Sequence, residues 1–176
     1  MRFVLTLLAA LLCASCGYQV GPVKPKKMEG IRRICVKNFK NETLEPRMEV
    51  MLASAVIKQL QLDGTYQVTD ESHADAILQG TLLRIERTPA RVVRGNVLQS
   101  SEYLLAVSCN YRLTTARTGT VLDQRAVTGT TNFFISAGSS GSDLLTADSA
   151  RDERQAMPHA VEDLATRLSS LISEGW

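Results

Sequence analysis

The chain has 176 residues, a length that predicts one domain rather than two. Hydrophobic residues make up 44%, which excludes an intrinsically disordered chain, and a mean hydropathy of −0.04 excludes a protein with many membrane-spanning helices. The net charge of +2, from 20 basic and 18 acidic residues, is too small for a protein that coats nucleic acid.

The N-terminus has the pattern of a secretory signal. A positive charge at Arg2 is followed by residues 3–12, an uncharged run in which Thr6 is the one polar side chain. This run is too short to cross the apolar core of a bilayer as a helix, which takes about 20 residues. A charged start, a short apolar run and small residues after it are typical of a cleaved signal peptide.

A lipid-attachment site is expected at the end of this run. Ala14, Ser15 and Cys16 resemble the lipobox of bacterial lipoproteins, in which the cysteine is lipidated and becomes the mature N-terminus. The chain departs from the lipobox pattern at Cys13, where Leu is usual. We therefore predict a signal peptide over residues 1–15 and lipidation of Cys16. The alternative is a buried N-terminal helix with two incidental cysteines, which a run that is apolar on all sides disfavours.

A tether is predicted between the lipid anchor and the folded domain. Residues 16–30 include Pro22, Pro25, three lysines and several glycines, a composition that favours an extended, polar segment. Stable anchoring takes more than one acyl chain, and the lipoprotein resemblance implies a diacylglyceryl group plus an N-acyl chain. By the same resemblance, Gly17 after Cys16 implies sorting to the outer membrane.

The first predicted elements of the domain, which spans residues 31–176, are a strand and a helix. Ile31–Phe39 alternates apolar and polar residues, as a half-buried strand does. Pro46 takes the favoured first position of a helix that runs to about Leu62, and Gly64 provides a left-handed cap. One apolar stripe recurs at helical spacing: Met48, Met51, Leu52, Ala55, Val56 and Leu60.

A short strand and three longer ones are predicted next. Tyr66–Thr69 is the short one, and Ala76–Arg87 is expected to end before Pro89. Ser101–Thr115 and Val121–Phe134 are predicted to pair as a hairpin. The first strand of this hairpin has the clearest alternation, with one apolar face: Tyr103, Leu105, Val107, Cys109, Tyr111 and Leu113.

The chain ends in a predicted loop and helix. Ser136–Ser142 is rich in glycine and serine, and a helix over Asp148–Ser173 follows. The apolar stripe of this helix is Ala156, Ala160, Leu164, Leu168 and Ile172. A run of strands bounded by two helices predicts an α+β fold in two layers. We expect a mixed, mostly antiparallel sheet of about four strands with both helices packed on one face.

The sequence offers no pattern of a catalytic or metal site. His73 and His159 have no Cys or His partner at the spacing of metal ligands, and residues 139–142 lack the strand-to-helix elbow of a nucleophilic serine. The carboxylate pairs Asp152–Glu153 and Glu162–Asp163 diverge around their helix and are interpreted as solvated charges. We expect a protein that is not an enzyme and that has no metal or cofactor.

Two cysteines remain after signal cleavage, Cys35 and Cys109, in an oxidising compartment. A disulfide between them is one alternative. The alternation puts Cys35 on the polar face of its strand and Cys109 on the apolar face of another strand. The pattern therefore favours two free cysteines.

Four arginines cluster near the predicted turn after the strand that begins at Ala76. We refer to Arg84, Arg87, Arg91 and Arg94 as the arginine group. One interpretation is a polar sheet face with an edge protected by charge. The other is a patch for phosphate or carboxylate groups, which arginine binds with two parallel hydrogen bonds.

Five segments of the chain resemble, in order, those of the LptE family of lipopolysaccharide-assembly lipoproteins. They are Cys16-Gly17-Tyr18; Phe39-x-Asn41-x-Thr43-x-Glu45-Pro46; Asp63-Gly64-x-Tyr66-x-Val68; Ala74-Asp75-Ala76-Ile77-Leu78-x-Gly80; and Glu153-x-x-Ala156 with Ala160, Leu164 and Ala165. Each segment is degenerate alone, and the order of all five along the mature chain makes the resemblance more specific.

The resemblance implies a role in the cell envelope rather than in catalysis. Lipoproteins similar to LptE sit inside the LptD β-barrel of the outer membrane, plug it and help it assemble. For this chain the resemblance implies an outer-membrane lipoprotein on the periplasmic side, with an LptD-like barrel and lipopolysaccharide as partners and no nucleic acid. The arginine group is then a candidate for the phosphates of lipid A, an assignment that comes from its charge because no family motif covers it.

Two other classes of lipoprotein remain as alternatives. One is an activator of a cell-wall synthase, and the other is a secretion subunit similar to CsgG, in which a strand ending in Phe-x-Asn also precedes a helix. A lipoprotein hydrolase is disfavoured because the sequence offers no nucleophile–base pair.

Overall fold

The structure, a computed structural model, describes residues 24–91, 101–135 and 147–174. Several predicted features lie outside the described residues: the signal peptide, Cys16, the turn after the strand that begins at Ala76, the loop at 136–142, and Arg94. The side chain of Arg91 is not described either.

The described residues form six strands and two α-helices. The strands are β1 (Arg33–Val36), β2 (Lys40–Asn41), β3 (Gln67–Val68), β4 (Ala76–Arg91), β5 (Ser101–Thr115) and β6 (Val121–Ile135), and the helices are α1 (Met48–Asp63) and α2 (Ala147–Glu174). Short 3-10 turns at Lys26–Met28 and Glu71–His73 precede β1 and β4. Neither α-helix is both long and apolar enough to span a membrane.

The strands make one mixed sheet, which confirms the predicted α+β class. Its order is β3-β1-β4-β5-β6, and β2 pairs with β4 next to β1. β1 and β2 run parallel to β4, β3 runs parallel to β1, and β4, β5 and β6 form an antiparallel meander. The strand predicted over Ile31–Phe39 is confirmed only at Arg33–Val36. The described sheet has more strands than the predicted four because β2 forms just beyond the predicted strand and β3 joins the edge.

The separation of β1 from β2 comes from one extra residue. Val36 pairs with Leu78, whereas Lys40 pairs with Thr81, so four residues advance on one strand while three advance on its partner. Phe39, only 3% exposed, turns from this irregular stretch into the core. A Cβ atom at Gly80 would lie 2.6 Å from the Phe39 ring, so the glycine makes room for the aromatic side chain.

The prediction that the second long strand ends before Pro89 is wrong. β4 continues to Arg91, with irregularities in its pairing to β5 between Leu82 and Arg84 and between Pro89 and Arg91. The pairing of β2 with β4 reaches Leu82, so no described strand covers that edge of β4 farther on. Strands with an uncovered edge tolerate proline, because an N–H on that side makes no ladder hydrogen bond.

Both helices pack on the same face of the sheet, as predicted. α2 lies along β5 and β6, and α1 lies beside α2 and over β1 to β3. At Gly129 the helix backbone comes so close that a Cβ atom would overlap the carbonyl oxygen of Ala160 and the amide nitrogen of Leu164. The glycine therefore sets how closely α2 lies on β6.

A residue in the left-handed conformation flanks α1 at each end. Arg47, with φ of 67°, precedes Met48, so the helix begins two residues later than Pro46. Gly64, with φ of 70°, donates its N–H to the Leu60 carbonyl oxygen at 3.1 Å and confirms the predicted cap.

The core lies between the helices and the sheet. The predicted stripe of α2 is buried throughout, and Leu52, Val56 and Leu60 of α1 have no exposed surface. Met51, which was assigned to the stripe of α1, is 37% exposed instead. Met28 is 3% exposed, so the packed domain begins before residue 31 and includes the end of the predicted tether.

Candidate functional site

The two faces of the sheet are different chemical surfaces. The helix-covered face carries the predicted apolar row of β5, and Leu105, Val107 and Leu113 of that row have no exposed surface. On the opposite side, which we call the open face, no described helix or strand packs. The open face is therefore accessible to a ligand or partner without rearrangement of the core.

The open face is lined by polar side chains in register across β4, β5 and β6. Its rows are Gln79–Arg112–Gln124, Thr81–Asn110–Ala126, Arg84–Ser108–Thr128, Glu86–Ala106–Thr130 and Thr88–Leu104–Asn132. Neighbours in these rows bond to each other: the Ser108 and Thr128 hydroxyl oxygens are 2.9 Å apart, and Arg112 Nε donates to Gln124 Oε1 at 3.1 Å. The rows therefore form a fixed hydrogen-bonding surface.

The arginine group does not form one patch. Arg84 lies on the open face, in register with Ser108, whereas Arg87 lies on the covered face, in register with Leu105. Residues three apart on a strand point to opposite sides, since side chains alternate. Arg91 follows the second irregularity and pairs with Glu102 of β5, and Arg94 lies outside the described residues.

Arg87 is held by two carboxylates of the domain itself. Its guanidinium forms an ion pair with Glu153 of α2 and a longer one with Glu45, at 3.4 Å between Nη2 and Oε1. The hydrogen bond that Arg87 donates to Glu153 raises the pKa of Arg87 above its usual value. This side chain ties β4 to α2 and to the segment before α1, so we assign it a structural role.

The interpretation of two carboxylates as solvated charges is corrected by the same contacts. The Glu153 side chain is 18% exposed and occupied by Arg87. Asp163 accepts the backbone N–H of Thr130 at 2.8 Å and pairs with Arg167 at 2.9 Å. Both carboxylates fix α2 in place.

The segment before α1, residues 41–47, is ordered by side-chain hydrogen bonds. Asn41 Nδ2 donates to the Glu45 carbonyl oxygen at 2.8 Å and to Glu49 Oε2 at 2.9 Å, while Asn41 Oδ1 accepts the backbone N–H of Thr43 at 3.0 Å. The asparagine, threonine and glutamate of the family-like motif thus build a turn rather than a reactive site. Leu44 at its tip is fully exposed.

Asp75 of the second motif fastens β1 to the start of β4. Its carboxylate accepts the backbone N–H of Arg33 at 2.9 Å and that of Arg32 at 3.1 Å, and Arg33 Nη2 donates to it at 3.0 Å. Hydrogen bonding from the Arg33 side chain is the largest cause that lowers the pKa of Asp75 to about 2.

A cavity of about 430 Å³ opens on the sheet where β1 gives way to β2. We call it the edge cavity, and its lining is Lys37, Asn38, Lys40, Gln79, Gly80, Thr81, Asn110, Tyr111, Arg112 and Gln124. Sequence reasoning missed this site. The alternation of β5 already places Asn110 and Arg112 on the polar face, but the extra residue that brings Lys37, Asn38 and Lys40 beside them has no local sequence signal.

The described residues give no support to a redox or metal site. Cys35 and Cys109 are buried and free, which confirms the prediction. Burial raises the pKa of Cys35, and it raises that of Cys109 to about 12, so neither is a reactive thiolate at neutral pH. His73 and His159 are exposed, and among the described residues no cluster of three or more His, Cys, Asp or Glu side chains is arranged for a metal.

Comparison with known families agrees with the sequence resemblance. The family model described as "LptE: Lipopolysaccharide-assembly" matches residues 31–171, most of the chain. The chain belongs to the LptE family. The family motifs at Asn41, Asp75 and Gly80 have structural roles in this member: a turn, a strand anchor and room for Phe39.

Solved structures share the fold of this LptE-family protein at low sequence identity. A neuraminyllactose-binding hemagglutinin homologue from Helicobacter pylori has 15% identity and a TM-score of 0.52, covering 88% of this chain and 91% of its own. Protein XCC0632 from Xanthomonas campestris has 15% identity and a TM-score of 0.51, covering 82% and 85%. PelC from Paraburkholderia phytofirmans, a dodecamer, has 14% identity and a TM-score of 0.50, covering 87% and 95%. No curated protein sequence matches the chain significantly.

Proposed function

We propose that this protein is an outer-membrane lipoprotein, anchored through Cys16, that plugs an LptD-like barrel and assists its assembly in lipopolysaccharide transport to the outer leaflet. The observation that carries the proposal is the match of the LptE family model to residues 31–171. The N-terminal sequence adds independent support, because residues 1–17 combine a short apolar signal with a lipobox-like cysteine.

The architecture is suited to a plug. A plug has to keep its shape inside a barrel, and the closely packed contact between Gly129 and α2 leaves the helix layer little freedom to shift. The interior of an outer-membrane barrel is polar. The open face offers amide, hydroxyl and guanidinium groups for such a wall without exposing the core.

Contact with lipopolysaccharide is the finer part of the proposal. Lipid A presents phosphates beside acyl chains, so a protein that handles it needs cations next to apolar surface. Because Arg87 is occupied by Glu45 and Glu153, the remaining members of the arginine group are the candidates. The Arg84 side chain is 64% exposed, and its one ion pair among the described residues is with Glu86 of its own strand, at 3.2 Å. A charge-assisted hydrogen bond contributes about 1.5–3 kcal/mol before competition with water and salt.

The experiment that tests the proposal is affinity purification of the full-length lipoprotein from detergent-solubilised envelopes. We expect a heat-resistant complex with a large β-barrel. Recovery of a penicillin-binding protein in place of the barrel would support an activator of cell-wall synthesis and contradict the proposal. A homo-oligomeric ring without a barrel would support the secretion-subunit alternative.

Two variants separate anchoring from ligand contact in this experiment. The Cys16→Ala protein should remain an unprocessed precursor that takes up no labelled palmitate, and labelling that moved to Cys13 would contradict the lipobox assignment. The double variant Arg91→Glu, Arg94→Glu should bind lipopolysaccharide at least tenfold more weakly while still capturing the barrel. Arg117→Glu, a single charge reversal at an exposed position in the β5–β6 turn, serves as its control.

A further inference from the structure

The charged side chains that line the edge cavity are all basic. Lys37, Lys40 and Arg112 contribute three cations, and no carboxylate side chain lines the cavity. Lys37 Nζ pairs with Glu71 Oε1 at 2.8 Å, which raises the pKa of Lys37 and offsets its charge, so Lys40 and Arg112 supply the uncompensated positive charge. Within the described part of the chain, Lys40 and Arg112 have no carboxylate partner. The cavity therefore favours an anion.

The remaining polar lining suits hydroxyl groups. Four amide side chains face the cavity together with the Thr81 hydroxyl: Asn38, Gln79, Asn110 and Gln124. An amide offers both donors and an acceptor, so it can bond a sugar hydroxyl in either direction. A cavity for inorganic phosphate alone would need the cations but not this set of amides.

The geometry of the lining is set by the sheet. Gln79, Arg112 and Gln124 are in register on β4, β5 and β6, and neighbouring strands are about 4.8 Å apart. The row therefore spans about 10 Å, which is wide enough for a sugar ring with a charged substituent. The hydrogen bond from Arg112 Nε to Gln124 orients the guanidinium and uses one of its five donors.

From this arrangement we propose that the edge cavity binds an anionic saccharide, a sugar that carries phosphate or carboxylate. Lys40 and Arg112 contact the charged group, and the amides of Gln79, Asn110 and Gln124 contact the hydroxyls. The volume of about 430 Å³ lies within the range of small-molecule sites. The site shares the open face with the proposed barrel contact but includes no member of the arginine group. Binding of a saccharide there goes beyond the proposed function and does not depend on it.

Calorimetric titration of the mature, lipidated protein in detergent micelles tests this inference. The probes are glucose 6-phosphate, glucose, inorganic phosphate and the phosphorylated oligosaccharide released from lipopolysaccharide. We expect saturable binding of glucose 6-phosphate, at least tenfold tighter than that of glucose or of phosphate. Equal affinity for phosphate and glucose 6-phosphate would overturn the saccharide assignment.

The source of the saccharide is distinguished by the oligosaccharide probe. Tighter binding of the oligosaccharide than of glucose 6-phosphate assigns the cavity to an envelope glycan, and the reverse order assigns it to a free sugar phosphate. Both results support an anionic saccharide site, whereas no heat change with either probe would contradict it.

Charge-reversal variants locate the binding in the cavity. Lys40→Glu and Arg112→Glu should each weaken binding of glucose 6-phosphate at least tenfold, and Arg117→Glu should leave it unchanged. The side-chain amide signals of Asn110 and Gln124, followed by NMR during the titration, should move in the wild type. Unchanged affinity in the folded cavity variants would contradict the inference. Stationary amide signals in the wild type would also contradict it, and this measurement decides the test even if a variant fails to fold.

Discussion

The covered and open faces of the same three long strands differ in the substitutions that they tolerate. On the covered face, Val107 and Leu113 are fully buried and Gly129 is pressed against α2, so side-chain volume decides what is tolerated. On the open face, residues such as Asn110 and Ala126 are exposed, so hydrogen bonding and charge can vary without disturbing the core. The first face specifies the fold, and we propose that the second meets ligand and barrel.

The largest expected losses of stability come from truncating buried side chains between the helices and the sheet. Leu52→Ala and Leu164→Ala each remove a side chain with no exposed surface, and each should lower the free energy of unfolding by about 2–5 kcal/mol. Lys58, on α1 but 68% exposed in its side chain, is the matched control: Lys58→Ala should change it by less than about 0.5 kcal/mol. Chemical denaturation measures all three, and equal midpoints for Leu52→Ala and Lys58→Ala would refute the helix-face assignment.

Adding volume should separate the faces as clearly as removing it. Gly129→Ala places a methyl group against backbone atoms of α2, which cannot rotate away, so we expect a loss of about 2–3 kcal/mol. Ala126→Val adds more volume three residues away on the open face and should stay within about 0.5 kcal/mol. Thermal unfolding compares the two. A Gly129→Ala protein as stable as the wild type would mean that α2 does not lie this close to β6.

Two arginines of one strand provide a smaller test of the same division. Arg87→Ala removes a bridge between β4 and α2 and leaves the largely buried Glu153 carboxylate unpaired, which should lower the free energy of unfolding by about 1 kcal/mol. Arg84→Ala removes only an exposed contact with Glu86 and should be neutral within about 0.5 kcal/mol. Denaturation at neutral pH measures both losses. A larger loss for Arg84→Ala than for Arg87→Ala would contradict the assignment of Arg87 to the covered face and Arg84 to the open face.

The smallest expected effect is a dependence of stability on acidic pH at Asp75, which fastens β1 to the start of β4. The pKa of Asp75 falls from an ordinary value of 3.8 to about 2 because Arg33 and two backbone N–H groups stabilise the carboxylate. Its contribution to stability is therefore complete above about pH 4 and is lost as the pH falls towards 2. The Asp75→Asn protein should lack this part of the acid-dependent loss. Identical slopes of stability against pH in both proteins would remove Asp75 as its source.

The parts of the fold that local patterns determine were predictable. The strict alternation of β5 gave both its bounds and its buried face, and the spacing of apolar residues gave the stripe of α2. The opposite faces of Arg84 and Arg87 could also have been read from their three-residue separation. Likewise, Glu153 lies three residues before Ala156 of the stripe, a position that faces the sheet layer.

The edge cavity could not be predicted because its cause is tertiary. The extra residue between Val36 and Lys40 exists because the Phe39 ring packs on Gly80, a residue of another strand. Proline propensity also failed at Pro89, since the cost of a missing N–H depends on whether a partner strand is present. Both features depend on which strands become neighbours, and alternation within one segment does not contain that information.

Site-specific photo-crosslinking tests the division of labour between the two faces most directly. A benzophenone amino acid at Ala126 places the reactive group on the open face, and one at Lys58 places it on the exposed side of α1, in the full-length lipoprotein mixed with lipopolysaccharide. We predict a lipopolysaccharide adduct from position 126 and none above background from position 58. An adduct at position 58 without one at position 126 would contradict the assignment of the open face as the ligand-facing surface.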